Sequence, residues 1–317
     1  MGRRKKGRDI DGILLLDKPS GQTSNAVLRQ VSRLFDARKA GHTGSLDPLA
    51  TGLLVACFGE ATKVSGWLLD ADKTYTAVAR LGRTTDSADA DGRLVEVRPV
   101  PAINADRLQS VLAEFRGRQQ QIPPMYSALK HQGRRLHELA RAGETVERVP
   151  REVTIHALEG WLEGPDRLGL RVCCSKGTYI RSLVADLGER LGCGAHVEAL
   201  RRVGLGPYRT PRMWTPDALA ARAAQRDAAL DSLLLPVESA LDEHAAVALD
   251  ATATERFCHG QAVPASPLRG ATHLTAPSVG GVLAVHGADG RFLGVGEWDT
   301  GQQVKPRRLL VQRTTEG

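Results

Sequence analysis

The segment GHTGSLDPLATG, residues 41–52, concentrates three glycines, one proline and a single carboxylate between two apolar stretches. Glycine opens backbone conformations closed to other residues and lets a substrate approach the chain closely. Pro48 fixes the chain just after Asp47 and pushes Asp47 itself toward an extended conformation. A carboxylate presented at the tip of such a stiff loop could serve as nucleophile or general base. Other chemistries fit the residues less well. A phosphate cradle of the form G-x-x-x-x-G-K-[ST] is missing, and His42, Ser45 and Asp47 lack the G-x-S-x-G context of a hydrolase nucleophile. The plain alternative is an aspartate that merely bonds to its own turn.

Two further segments carry reactive types. In SKGTYIRSL, residues 175–183, Thr178 is placed to cap a helix starting near Tyr179. Arg181 then falls close to the helix start, where a cation opposes the helix dipole unless an anion engages it. Asp47 is the candidate partner, since a guanidinium keeps a carboxylate ionised and oriented. The alternative is an ordinary surface arginine. In DKTYTAVARLG, residues 72–82, Tyr75 sits on an alternating strand and could stack on an unpaired base, or simply fill the core. DSADADG, residues 86–92, misses the spacing and distal glutamate of a calcium loop and was given no role.

The elements that must hold these residues follow from periodicity. Gly12–Leu16 reads as a strand, Lys18–Gly21 as a turn, and Ser24 as the cap of a helix with Val27, Leu28, Val31, Leu34 and Phe35 on its apolar face. Leu53–Phe58 and Lys73–Leu81 read as strands, as does the alternation of Leu168, Leu170, Val172 and Cys174. Helical stripes appear at Ala61–Leu69, at Leu108, Val111, Leu112 and Phe115, and at Ile180, Leu183, Val184, Leu187 and Leu191. No regular βαβ rhythm emerges, so the expected class is α+β with a mixed sheet rather than a doubly wound one. Residues 119–149 are polar, basic and proline-interrupted, as an excursion from the core would be. From about Val247 short apolar runs broken by glycine and proline predict a small, separate β domain.

The whole chain carries a net charge of +7, but Arg3, Arg4, Lys5, Lys6 and Arg8 supply most of it. Charge alone therefore does not select a nucleic-acid partner. Five cysteines, an odd number with no C-x-x-C pair, suit reduced thiols rather than a disulfide frame or a zinc site. No apolar run is long enough to span a bilayer, and the basic start lacks the apolar core of a secretory signal.

Taken together, KPSGQTS at 18–24, the loop at 41–52, the strand 73–82, PPMYSAL at 123–129, the segment 176–183 and ALRRVGLGPY at 199–208 resemble the TruB family of tRNA pseudouridine synthases. Six motifs in order, spread over roughly residues 12–210, make the resemblance far more specific than any one of them. It implies a pseudouridine synthase fold with a mixed, largely antiparallel central sheet flanked by helices, and a PUA-like C-terminal β domain. It divides the chain into a disordered basic arm (1–10), a catalytic domain (11–240) with a thumb-like RNA-binding insertion (119–149), and the PUA-like domain (245–317). It implies isomerisation of the T-loop uridine 55 of tRNA by a cytoplasmic, cofactor-free monomer that needs no metal, membrane or obligatory protein partner, with tRNA folding as a possible second role.

By that resemblance Asp47 is the catalytic aspartate, Arg181 its partner, and Tyr75 the residue that stacks on the target base. His42 helps hold the RNA with the base turned out, Tyr179 and Leu200 complete the pocket, and Lys18 and Pro19 support the loop. Ser45 stands where some relatives have alanine. Lys130, Arg134, Arg135 and Arg141 become phosphate contacts of the insertion, and Lys305, Arg307 and Arg308 either touch RNA or form a solvated face. Competing readings are an RNA-folding module without catalysis, a guide-RNA-dependent synthase of the related branch, and a glycosidase, which lacks a second nearby carboxylate.

Overall fold

The computed structural model describes residues 7–209, 211–225, 230–267 and 278–310. Its main sheet runs, from edge to edge, through Gly12–Lys18, Thr51–Phe58, Ala195–Leu205, Lys73–Leu81, Arg167–Cys174, Arg151–Leu162 and Gly117–Gln121. Ala40–His42 pairs beside Thr51–Phe58, and Tyr208–Arg209 beside Ala195–Leu205. Every pairing is antiparallel except one, Thr51–Phe58 with Ala195–Leu205, so the sheet is mixed as expected.

One face of the sheet carries Ala77, Leu170, Val172 and Leu200 into a core closed by helices Ala105–Glu114 and Ile180–Leu191. Beyond the parallel junction, Leu14, Leu16 and Leu54 pack on Val27 and Val31 of helix Ser24–Leu34 and on Phe35 just past its end. Each such buried side chain contributes roughly 1.5–3 kcal/mol. That helix is capped by Thr23, whose hydroxyl accepts from the Ala26 amide, and not by Ser24, which occupies the first helical position. The stripe predicted over Ala61–Leu69 divides into a 3-10 turn, Gly59–Lys63, and a short helix, Ser65–Asp70.

The C-terminal sheet orders Val263–Pro264, Gln303–Leu309, Phe292–Trp298, Val282–His286, Ala245–Ala248 and Ser266–Pro267. Its two edge strands are separated in sequence by Ala265 alone, which obliges the sheet to curl. Ala284 and Val295 join Ile13, Leu15 and Tyr208 in a shared core, so this sheet is packed against the first.

Two expectations are corrected here. The disordered arm expected over residues 1–10 does not extend to Arg8 and Ile10: Arg8 bridges to Ala37 and Ile10 is buried, while residues 1–6 lie outside the described ones. The excursion leaves the sheet after Gln121, not at Gln119, because Gly117–Gln121 pairs with Arg151–Leu162. Among the described residues no helix is long and apolar enough to cross a membrane.

Candidate active site

Asp47 lies on the loop between Ala40–His42 and Thr51–Phe58. The Ala50 amide donates to the Asp47 carbonyl at 3.1 Å, making Asp47-Pro48-Leu49-Ala50 a tight turn with proline at its second position. Leu46 and Ala50 are buried on either side, so the hydrophobic effect seats the loop while Asp47 points outward. Ser24 clamps it further, accepting from the Leu46 amide at 2.8 Å and donating to the Leu46 carbonyl at 3.1 Å. Gly52 closes the loop with φ +93°, and a Cβ there would lie 2.3 Å from the Arg202 carbonyl oxygen. Only glycine fits that approach.

Lys18 is fully buried, and its ammonium donates to the carbonyls of Pro19, Gln22 and Pro48 at 2.8, 2.6 and 3.1 Å. It thus ties the strand end to the far limb of the Asp47 turn. Burial pulls its pKa down to about 8, with the Asp47 charge opposing the shift. Pro19 follows in the same turn.

Arg181 is oriented on all three of its nitrogens. Nε meets Asp47 Oδ2 at 2.9 Å, Nη1 donates to the Ser87 carbonyl at 3.0 Å and faces Asp89 Oδ2 at 3.3 Å, and Nη2 donates to the Tyr126 carbonyl at 2.7 Å. Its side chain is 4% exposed and that of Asp89 8%, whereas that of Asp47 is 42% exposed. The guanidinium is therefore a buried connector between an inner carboxylate and an open one. Withdrawal from water pushes the Asp47 carboxyl above the usual range. Arg181 and Lys18 pull it back down, and Asp89 adds to the rise.

Asp89 is the site residue that sequence spacing alone does not single out. It belongs to the acidic DSADADG turn, where its carboxylate accepts from Ser87 Oγ and the Asp91 amide. The available signal was Arg181 itself, since a cation in a helical first turn asks for anionic company and receives two carboxylates. Thr178 also differs from expectation. Its hydroxyl donates to Ser175, and the helix starts at Ile180 without a side-chain cap. Buried Gln121 instead accepts from the Tyr179 amide at 2.8 Å and donates to the Tyr179 carbonyl at 3.0 Å.

A cavity of about 100 Å³ opens at the carboxylate, lined by Ser45, Asp47, Tyr75, Tyr179, Arg181 and Leu200 among others. Tyr75 and Leu200 reach it from adjacent strands, two register pairs apart on the same face of the sheet. His42, Lys18 and Pro19 are not part of that lining. His42 Nε2 lies 3.2 Å from Asn25 Oδ1, and burial together with the Arg202 charge lowers its pKa, favouring a neutral ring.

The basic residues proposed for RNA divide by their partners. Lys130, Arg134, Arg135 and Arg141 are all exposed on the excursion, where Arg134 pairs with Glu144. In the C-terminal sheet Lys305 pairs with Asp299 and Arg307 with Glu297, leaving Arg308 exposed beside the Arg307 carbonyl.

The sequence was also compared with known proteins. A profile for the TruB family pseudouridylate synthase N-terminal domain matches residues 32–180. A tRNA pseudouridylate synthase B C-terminal profile matches 181–242, and a pseudouridine synthase II TruB C-terminal profile matches 245–310. The chain is 48% identical over 316 residues to tRNA pseudouridine synthase B of Salmonella arizonae, covering 98% of each. It is 50% identical over 319 residues to that of Sodalis glossinidius, covering 98% of this chain and 99% of the relative. Among solved structures, a chain of a Cbf5-Nop10-Gar1 complex aligns at TM-score 0.73 and 26% identity, over 95% of this chain and 84% of that one. One from an H/ACA RNP bound to a substrate RNA containing 2′-deoxyuridine aligns at TM-score 0.74 and 23% identity, over 96% and 86%, a likeness of fold.

Proposed function

The chain belongs to the TruB family of pseudouridine synthases, and from that premise we propose that Asp47 is the carboxylate with which it isomerises the T-loop uridine 55 of tRNA. The enzyme is an isomerase of the pseudouridine synthase fold. The observation that carries the site assignment is an open carboxylate at the mouth of a base-sized cavity, held at 2.9 Å by a guanidinium that is itself buried.

The reaction breaks the bond between uracil N1 and ribose C1′, turns the freed base, and joins C5 to C1′. Atoms are conserved and no net oxidation occurs, so an electron carrier has nothing to do. A stacked uridine must first leave its helix at a cost of a few kcal/mol. Stacking against Tyr75 offsets part of that, since a base on an aromatic face gains roughly 1–3 kcal/mol. Tyr179 and Leu200 supply apolar walls. The ionised carboxylate of Asp47 then acts on the sugar or base as nucleophile, or takes a ribose proton. Arg181 keeps it charged when the bound RNA removes the remaining water.

In this reading Lys130, Arg135 and Arg141, exposed on the excursion, meet backbone phosphates, and Arg134 joins them once it exchanges Glu144 for RNA. The same reading makes the protein a cytoplasmic monomer that acts on naked tRNA without a guide or protein partner. Purified protein incubated with T-arm RNA carrying 5-tritiated uridine should release tritium at one position. Asp47→Asn should release none while binding the RNA within a few-fold of wild type. Turnover by that variant, or loss of its RNA binding, would overturn the assignment, and a tRNA-folding activity untouched by it would mark a separate second role.

A further inference from the structure

Arg202 is the largest fully buried side chain among the described residues, 1% exposed, and no carboxylate there lies within salt-bridge distance of it. An uncompensated interior cation is costly, and its retention calls for a reason. Its bonds supply one. Nε donates to the Leu53 carbonyl at 2.7 Å and Nη2 to the Gly44 carbonyl at 2.9 Å. Gly44 and Leu53 flank the Asp47 turn on its two sides, so one planar fork grips both limbs of the loop. Across the sheet Arg202 is the register partner of Tyr75 on one side and of Gly52 on the other. Burial raises the pKa of the Tyr75 hydroxyl, and the Arg202 charge opposes that rise.

Resting on the reading above, we propose that Arg202 is a positioning residue of the isomerisation, joining the loop that carries Asp47 to the strand that carries Tyr75 so that carboxylate and stacking surface keep one relative geometry. Lys18 holds the outer limb through Pro48, but its three hydrogen-bond partners, Pro19, Gln22 and Pro48, all lie off the strand bearing Tyr75. Arg202 is the residue that spans both. Lysine cannot replace it fully, because a single ammonium on a flexible stem lacks the rigid fork that meets the Leu53 and Gly44 carbonyls at once.

The test compares wild type with Arg202→Lys and Arg202→Gln, each containing 3-fluorotyrosine, the Tyr75 resonance being assigned with Tyr75→Phe. Misplacement of reacting groups by about 1 Å can cost on the order of 100-fold in rate. The expected result is a kcat for Arg202→Lys at least about 10-fold lower, with KM for T-arm RNA within about 2-fold, and a displaced or broadened fluorine resonance at Tyr75. Should Arg202→Gln fail to fold, Arg202→Lys, which keeps the charge and one carbonyl bond, decides alone. A purely structural role lowers Tm without moving kcat of the folded enzyme or the Tyr75 signal, and that outcome overturns the proposal. If wild type itself forms no pseudouridine, the proposed function has failed instead, a result the wild-type arm reports separately.

Discussion

Asp89→Asn isolates what the inner carboxylate does for the outer one. The two side chains of the buried pair, Arg181 and Asp89, stand 3.3 Å apart at their closest charged atoms. At an effective dielectric constant of about 20, opposite unit charges at that separation attract by about 5 kcal/mol. Breaking a buried pair by removing one partner typically costs 3–5 kcal/mol, and Arg181 retains Asp47, so the lower end applies, about 3 kcal/mol. For a domain of this size that lowers Tm by about 6–12 °C. Catalysis should respond in two separable ways. Arg181 loses an anchor, and kcat on the plateau falls by about 10–100-fold. At the same time Asp89 is one of the charges that raise the pKa of Asp47, so its neutralisation moves the acid limb of the kcat profile to lower pH. Tritium release from T-arm RNA across the acid range, alongside thermal unfolding, reads all three. An acid limb that stays in place or moves upward, in a variant that still folds, would refute the electrostatic reasoning.

The remaining predictions concern stability. Because burial raises the Asp47 pKa, its charged form weakens the fold at neutral pH, and Asp47→Asn should unfold at the same or higher temperature near pH 7; a clear drop in Tm would contradict this. Lys18 and Lys73, both buried, have folded-state pKa values near 8 against 10.5 in the open chain. The unfolded chain therefore binds more protons above pH 8, and stability should rise from there until the thiols of Cys57 and Cys174, pushed up to about 12 from 9, impose the opposite slope above pH 9. Denaturant melts under reducing conditions that stay flat or fall between pH 8 and 9 would exclude it. Gly52→Ala forces a Cβ against the Arg202 carbonyl at a left-handed φ and should cost about 2–4 kcal/mol, to be measured by urea unfolding. An unchanged midpoint would mean the loop is softer than described.

Much of this architecture is written locally in the chain. Lys73–Leu81 forms over the residues its alternation marks out, because a strand with one buried face must repeat every two residues. The turn at Asp47 is legible locally too: proline restricts the backbone and glycine opens conformations closed to other residues, wherever they stand. What periodicity cannot convey is company across the fold. Asp89 is separated from Arg181 by more than ninety residues, and its turn carries no pattern that names a partner. Thr178 is a good capping residue by type, yet Gln121, from a strand nearly sixty residues earlier, takes the Tyr179 amide instead. Arg202 likewise looks like any arginine in a basic motif until Thr51–Phe58 and Lys73–Leu81 pair on either side of its strand. The Asp47–Arg181 pairing was accessible because a misplaced charge is itself a local signal.

The excursion begins and ends at Gln121 and Arg151, which are direct register partners across two neighbouring strands. Its ends are thus one strand spacing apart whatever its length, and lengthening or trimming it costs little closure entropy. Yet the residue at its root, Gln121, holds both backbone atoms of Tyr179 in the wall of the cavity. The appendage is free to vary in reach, while any strain that RNA places on its stem arrives at the cavity beside Asp47 through the Gln121 amide and through the Tyr126 carbonyl that Arg181 holds.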